Sequence, residues 1–159
     1  FFGTFMPELQ ERNMKIQLIG FIDELPESTK QVVLKAVEDT KNNTGMVLTF
    51  ALNYGSRAEI IEATKTLARR VERGELAVDD IEEALFEREL QTSFLGELQD
   101  PDLMIRTSGE VRLSNFLLWQ LAYSEYYFTD IFWPDFSKED LYKAILTYQG
   151  RHRRYGGLA

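Results

Sequence analysis

Arg106-Thr-Ser-Gly109, with Arg112 and Ser114 close behind, is the stretch of this 159-residue chain whose residue types could do chemistry. A guanidinium fork matches phosphate oxygens, two hydroxyls can add hydrogen bonds, and a glycine lets the backbone turn. Asp102 to Ile105 follows Pro101 as a short, largely apolar run, long enough for a buried strand. Ser114 or Asn115 can cap a helix expected over 116–128. A helix N-terminus presents unpaired N–H groups and partial positive charge, so a loop entering one can seat an anion. The pattern predicts a phosphate or diphosphate site at the carboxyl end of a strand. The same residues would also suit a plainer role, in which the arginines pair with carboxylates and the serine only caps the helix. Spacing alone leaves both open.

The expected helix is apolar on nearly every side and should be buried, which makes Glu125 conspicuous. Ser114 and Glu125 would lie about 16 Å apart along its axis, so one ion could not touch both. On residue type alone, Glu125 is expected in an ion pair with an arginine, either Arg112 or one from the tail. That tail, Gly150-Arg-His-Arg-Arg-Tyr-Gly-Gly157, is the second basic cluster and reads equally as a solvated terminus. His152 is the only histidine, which rules out a multi-histidine metal site.

Arg106 through Gln120, then Ala122-Tyr-Ser-Glu-Tyr-Tyr-Phe-Thr-Asp130 and Trp133-Pro-Asp-Phe136, closely resembles the C-terminal signature of the cis-prenyltransferase family, nearest to its bacterial undecaprenyl diphosphate synthases. The resemblance implies sequential condensation of isopentenyl diphosphate onto an allylic (farnesyl) diphosphate, giving a long-chain polyprenyl diphosphate. The product would be the undecaprenyl carrier lipid of cell-wall synthesis, passed to the membrane. It implies that Arg106, Arg112, Leu113 and Ser114 hold isopentenyl diphosphate. Arg154 and Gly156 match the family's Arg-x-Gly ending, which reaches the diphosphate across a homodimer interface. Glu125 matches a glutamate associated with Mg²⁺. The family's catalytic aspartate, in an Asp-Gly-Asn-Gly-Arg-Trp loop, has no counterpart among these residues, nor has its Ser-Thr-Glu-Asn-Trp region. No catalytic residue is therefore assigned, and the chain is expected to be the C-terminal part of a longer enzyme, inactive alone. Val111 stands where members often carry His or Gln, so no ligand role transfers there. The alternatives are a non-catalytic partner subunit of a heteromeric cis-prenyltransferase and an unrelated α/β anion-binding module.

The elements that must position these residues are legible in outline. The start reads as a helix ending near Asn13, followed by a strand over 14–21. A helix over 28–43 has Ser28 and Gln31 as a capping box and Val32, Val33, Ala36 and Val37 as its buried stripe. A continuous apolar strand over 46–52 is expected to be covered on both faces. Ser56 and Glu59 form a second capping box, opening a helix with Ile60, Ile61, Ala63, Leu67, Ala68 and Val71 inward. A short helix is expected over 81–91, an edge strand over 131–136, and a last helix capped by Ser137 with Leu141, Ala144, Ile145 and Tyr148 inward. Strands alternating with helices predict a single α/β domain over 1–159, with a mostly parallel sheet and helices on both faces.

Composition agrees with a globular chain, at 44% hydrophobic and 13% aromatic residues. A net charge of −8 argues against general nucleic-acid binding, which needs a basic face. The absence of cysteine excludes disulfides and thiolate metal sites. No apolar run nears the roughly 18 residues of a membrane span and no signal peptide is visible, so a soluble cytoplasmic protein, at most peripheral to the membrane, is expected.

Overall fold

Ile16 and Ile19 of strand β1 (Lys15–Ile19) are where the first part of the chain buries its apolar surface. The structure is a computed structural model that describes residues 2–151. Helix α1 (Phe2–Glu11) and helix α2 (Glu27–Thr40) bring Leu9 and Ala36 against Ile16, with Met14, Val37, Leu48 and Phe50 packed around them. Strand β2 (Val47–Ala51) pairs with β1 in parallel, Lys15 opposite Val47 and Ile19 opposite Ala51. Thr40, fully buried, donates its hydroxyl to the Ala36 carbonyl at 2.9 Å and accepts the Ile16 N–H at 3.0 Å. The end of α2 is thereby tied to β1. β1 stops before the expected Phe21 because Gly20 takes φ +116° where the chain passes Leu52. A Cβ there would fall 1.9 Å from the Leu52 carbonyl oxygen.

Helix α3 (Ser56–Glu72) and the short helix α4 (Glu83–Glu87) complete this unit, which runs to Ser93. Several local expectations are corrected here. α2 is preceded by Pro26 and has no side-chain cap, so the Ser28–Gln31 box does not form. α3 has Gly55 at its N-cap, again without a side-chain cap. Glu59, 1% exposed, instead accepts hydrogen bonds from the Tyr54 hydroxyl and, at 2.8 Å, from the Gln91 N–H. A buried carboxylate needs such donors. Val32 and Ile61 are exposed rather than inward, and β2 is half-exposed rather than covered on both faces. The helix expected over 81–91 shrinks to α4.

The second unit begins at Phe94. Its strands β3 (Leu103–Arg106) and β4 (Glu125–Phe128) are also parallel, pairing Leu103 with Glu125 and Arg106 with Phe128. Helix α5 (Lys138–Gln149) is capped as expected, Ser137 Oγ accepting from the Asp140 N–H while the Asp140 carboxylate takes the Ser137 N–H at 2.9 Å. The helix expected over 116–128 does not form. Ser114, Asn115 and Leu117 have φ of 50°, 63° and 45°, left-handed values that a right-handed helix cannot propagate. The segment runs as turns that still bury Leu117 and Leu121, and its aromatic end joins the sheet as β4. The edge strand expected over 131–136 is replaced by a 3₁₀ turn, Trp133–Asp135, where Pro134 cannot donate to a ladder. Both units are α/β with parallel pairing, and among the described residues no helix is long and apolar enough to cross a membrane.

Candidate anion site

Arg106 ends β3, and the loop after it turns back on β4 through backbone bonds. The Thr129 N–H donates to the Arg106 carbonyl at 3.0 Å, Ser108 N–H to Ile131 O at 2.8 Å, and Gly109 N–H to Thr129 O at 3.0 Å. Ser108 and Gly109 reach this turn with φ of 68° and 69°. Two consequences follow. The Ser108 and Gly109 amides are spent on the protein, and the helix N-terminus expected to seat an anion is not there. What remains for a ligand is side chain: the Arg106 guanidinium and the Thr107 and Ser108 hydroxyls, none of which bonds to another described residue.

These three line a cavity of about 400 Å³, within the range of small-molecule sites, together with Met104, Ile105, Glu110, Leu113 and Phe116. One side is cationic and hydroxylated; the rest of the wall is mainly apolar. Such a wall suits a ligand with an anionic head and a hydrocarbon body. Arg112 does not line the cavity. It is exposed and ion-paired with Glu110, which does. Ser114 is exposed, caps no helix and is also outside the lining. The structure thus brings together Arg106 and Leu113, attaches Arg112 through Glu110, and leaves Ser114 apart. Arg154 and Gly156 lie outside the described residues. The sequence offers Glu110 only as an ion-pair partner for these arginines, which it is for Arg112, and does not mark Phe116 as a lining residue.

Glu125 is at the other end of the sheet. It begins β4 while Arg106 pairs with the last residue of β4, about 10 Å along the strand. Its carboxylate accepts Arg151 Nη1 at 2.6 Å, and the same guanidinium nitrogen reaches the Tyr126 carbonyl at 2.9 Å. Beside it, Tyr148 donates its hydroxyl to Asp102 Oδ1 at 3.0 Å, and the Glu125 N–H bonds the Asp102 carbonyl at 3.0 Å. Of the two arginine partners expected for Glu125, the structure selects the tail. Among the described residues no three His, Cys, Asp or Glu side chains gather into a metal site. Glu125 offers one partly exposed carboxylate. That fits an ion such as Mg²⁺, which takes one or two carboxylates and fills its shell with phosphate oxygens and water.

The model of a protein family described as "Putative undecaprenyl diphosphate synthase" matches residues 1–156. The chain belongs to this family. It is 56% identical over 158 residues to a ditrans,polycis-undecaprenyl-diphosphate synthase ((2E,6E)-farnesyl-diphosphate specific) of Micrococcus luteus, covering 99% of this chain and 62% of that protein. Its fold matches the crystal structure of lavandulyl diphosphate synthase from Lavandula x intermedia in complex with dimethylallyl diphosphate. There the TM-score is 0.92 at 39% identity, over 98% of this chain and 68% of that one. A probable undecaprenyl diphosphate synthase from Campylobacter jejuni matches with a TM-score of 0.81 at 29% identity, over 98% and 69%. The chain spans less than two thirds of the length of the first curated relatives it matches.

Proposed function

We propose that this chain is the isopentenyl diphosphate-binding part of a cis-prenyltransferase that builds a long-chain polyprenyl diphosphate, the undecaprenyl carrier lipid, from farnesyl diphosphate. The observation that carries the reading is the cavity at the end of β3, lined by a guanidinium and two hydroxyls that have no partner among the described residues and by Met104, Ile105, Leu113 and Phe116. Arg106 holds the diphosphate by bidentate, charge-assisted bonds, with Thr107 and Ser108 adding hydroxyl donors. Leu113, Phe116 and Met104 receive the isopentenyl body and keep water from it. Arg112 acts through Glu110: by neutralising that carboxylate it removes a charge that would repel the diphosphate.

In the reaction, the terminal double bond of isopentenyl diphosphate forms the new bond to C1 of the allylic substrate while the C1–O bond breaks and diphosphate leaves. Loss of a proton from C2 of the isopentenyl unit then gives the cis double bond. The residues above fix the nucleophile's head so that its alkene is presented in one orientation, the entropic part of the catalysis. Mg²⁺ belongs to the same proposal. Glu125 would supply one ligand oxygen, and the ion's chemistry is to offset diphosphate charge as it develops. A homodimer is proposed too, since Tyr123, Phe132 and Trp133 are 77%, 64% and 72% exposed in the single chain and a second copy would cover them. Sedimentation of the whole protein at micromolar concentration should give a dimer, and a monomer would remove that part.

Calorimetric titration with isopentenyl diphosphate tests the site. The chain should bind it, and Arg106→Ala should weaken binding by about ten- to a hundredfold, the worth of a contact of roughly 1.5–3 kcal/mol. Unchanged binding in that variant would overturn the assignment. In the whole protein the same substitution should raise the KM for isopentenyl diphosphate in a radiolabel-incorporation assay.

A further inference from the structure

The end of α5 and the residue just past its C-cap Gly150 place two side chains on the amino ends of both strands of the second sheet. Tyr148 takes Asp102 just before β3, and three residues on, Arg151 takes Glu125 at the start of β4. Arg151 has a second hold, on the Tyr126 carbonyl, which fixes its guanidinium beside the carboxylate. The pair is open to solvent in part, with Arg151 37% and Glu125 25% exposed. It is therefore close enough to neutralise and exposed enough to exchange.

We infer that Arg151 is a built-in counter-ion that competes with a divalent cation for Glu125, and so sets how readily this chain gives up that carboxylate to a metal. The inference rests on the reading of Glu125 as a metal ligand and adds a positioning residue to it. The guanidinium takes Glu125 Oε2 at 2.6 Å and so leaves an ion only the other oxygen uncontested. A guanidinium held against the site also repels a dication. An ion that needs Oε2 as well must displace the guanidinium, which the Tyr126 carbonyl helps to hold in place. The proposed consequence is a metal affinity held below what the carboxylate alone would give, with diphosphate needed to bring the ion in.

Mn²⁺ binding with inorganic pyrophosphate present, read as the excess of total manganese on the protein side in equilibrium dialysis, decides it. Arg151→Gln should bind Mn²⁺ about tenfold more tightly than the parent chain. Arg151→Lys should stay near the parent, because it restores a cation. Glu125→Gln/Arg151→Gln should lose the gain. A structural role for Arg151 would weaken metal binding in step with stability and would not produce a gain. If Arg151→Gln binds no more tightly while Glu125→Gln loses the ion, the counter-ion role is wrong and the metal reading stands. If Glu125→Gln binds like the parent, or no variant binds Mn²⁺, Glu125 is not a ligand in this chain and both ideas fail.

Discussion

The two ends of the β3–β4 sheet carry similar kinds of residue and treat them in opposite ways. At the amino end, Asp102 receives a hydroxyl from α5 and Glu125 a guanidinium from just beyond it, so both carboxylates have donors within the chain. At the carboxyl end, Arg106 faces a cavity with no carboxylate partner among the described residues, and two hydroxyls beside it are likewise uncommitted. Satisfied polar groups hold a fold together; unsatisfied ones at a cavity wall are available to a ligand. The carboxyl end is, if anything, the less exposed of the two, so partnership and not exposure separates them. The same distinction divides the two arginines of the loop, since Arg112 is neutralised locally by Glu110 and Arg106 is not.

The comparison breaks first at Arg106. Arg106→Ala should cost the most in isopentenyl diphosphate binding while the melting temperature barely moves, and Arg106→Lys should recover only part, because a point charge lacks the fork. Equal losses in binding and stability would mean that Arg106 serves the fold. Arg112→Ala should weaken binding by only a few-fold. Adding Glu110→Gln should restore it, because the two charges cancel; a double variant no better than Arg112→Ala would mean that Arg112 touches the ligand directly. At the amino end, Glu125→Gln should lower the melting temperature by no more than about 3 °C, the scale of a partly exposed ion pair of roughly 0.2–1 kcal/mol.

The smallest effect concerns pH. Hydrogen bonds from the Ser137 hydroxyl and N–H hold the Asp140 carboxyl below its ordinary value. A depressed carboxylate contributes stability that is present above its unfolded pKa, near 4, and is lost as pH falls through the folded value. Amide exchange in the first turn of α5 should therefore quicken only below about pH 4. Ser137→Ala should shrink that pH dependence, and an undiminished one would mean that the Ser137 hydroxyl does not hold the carboxylate.

Three of the four strands, and of the expected caps the one at Ser137, were readable in the sequence. β1, β2 and β3 follow from short apolar runs, and Ser137 with Asp140 marks the start of α5 by chemistry contained in four residues. The turns over 114–124 were not readable. Their composition favours a helix, and what defeats it is a run of left-handed residues together with a strand partner some twenty positions earlier in the chain. Glu59 misled for the same reason: it has the spacing of a capping box, yet one of its donors, Gln91, comes from 32 residues away. The site was half legible. Residue type marked Arg106 and Arg112 as anion binders and left open whether a carboxylate had already taken either. That is a matter of which groups the turns bring within 4 Å, which residue type does not record.

A crystal structure of the chain with isopentenyl diphosphate bound tests the contrast between the two ends most directly. Diphosphate oxygens should lie on the Arg106 guanidinium and the Thr107 and Ser108 hydroxyls, the hydrocarbon against Leu113 and Phe116, and Arg112 still on Glu110. A diphosphate held by Arg112 and Ser114 with Arg106 untouched, or one seated at Arg151 beside β4, would contradict it.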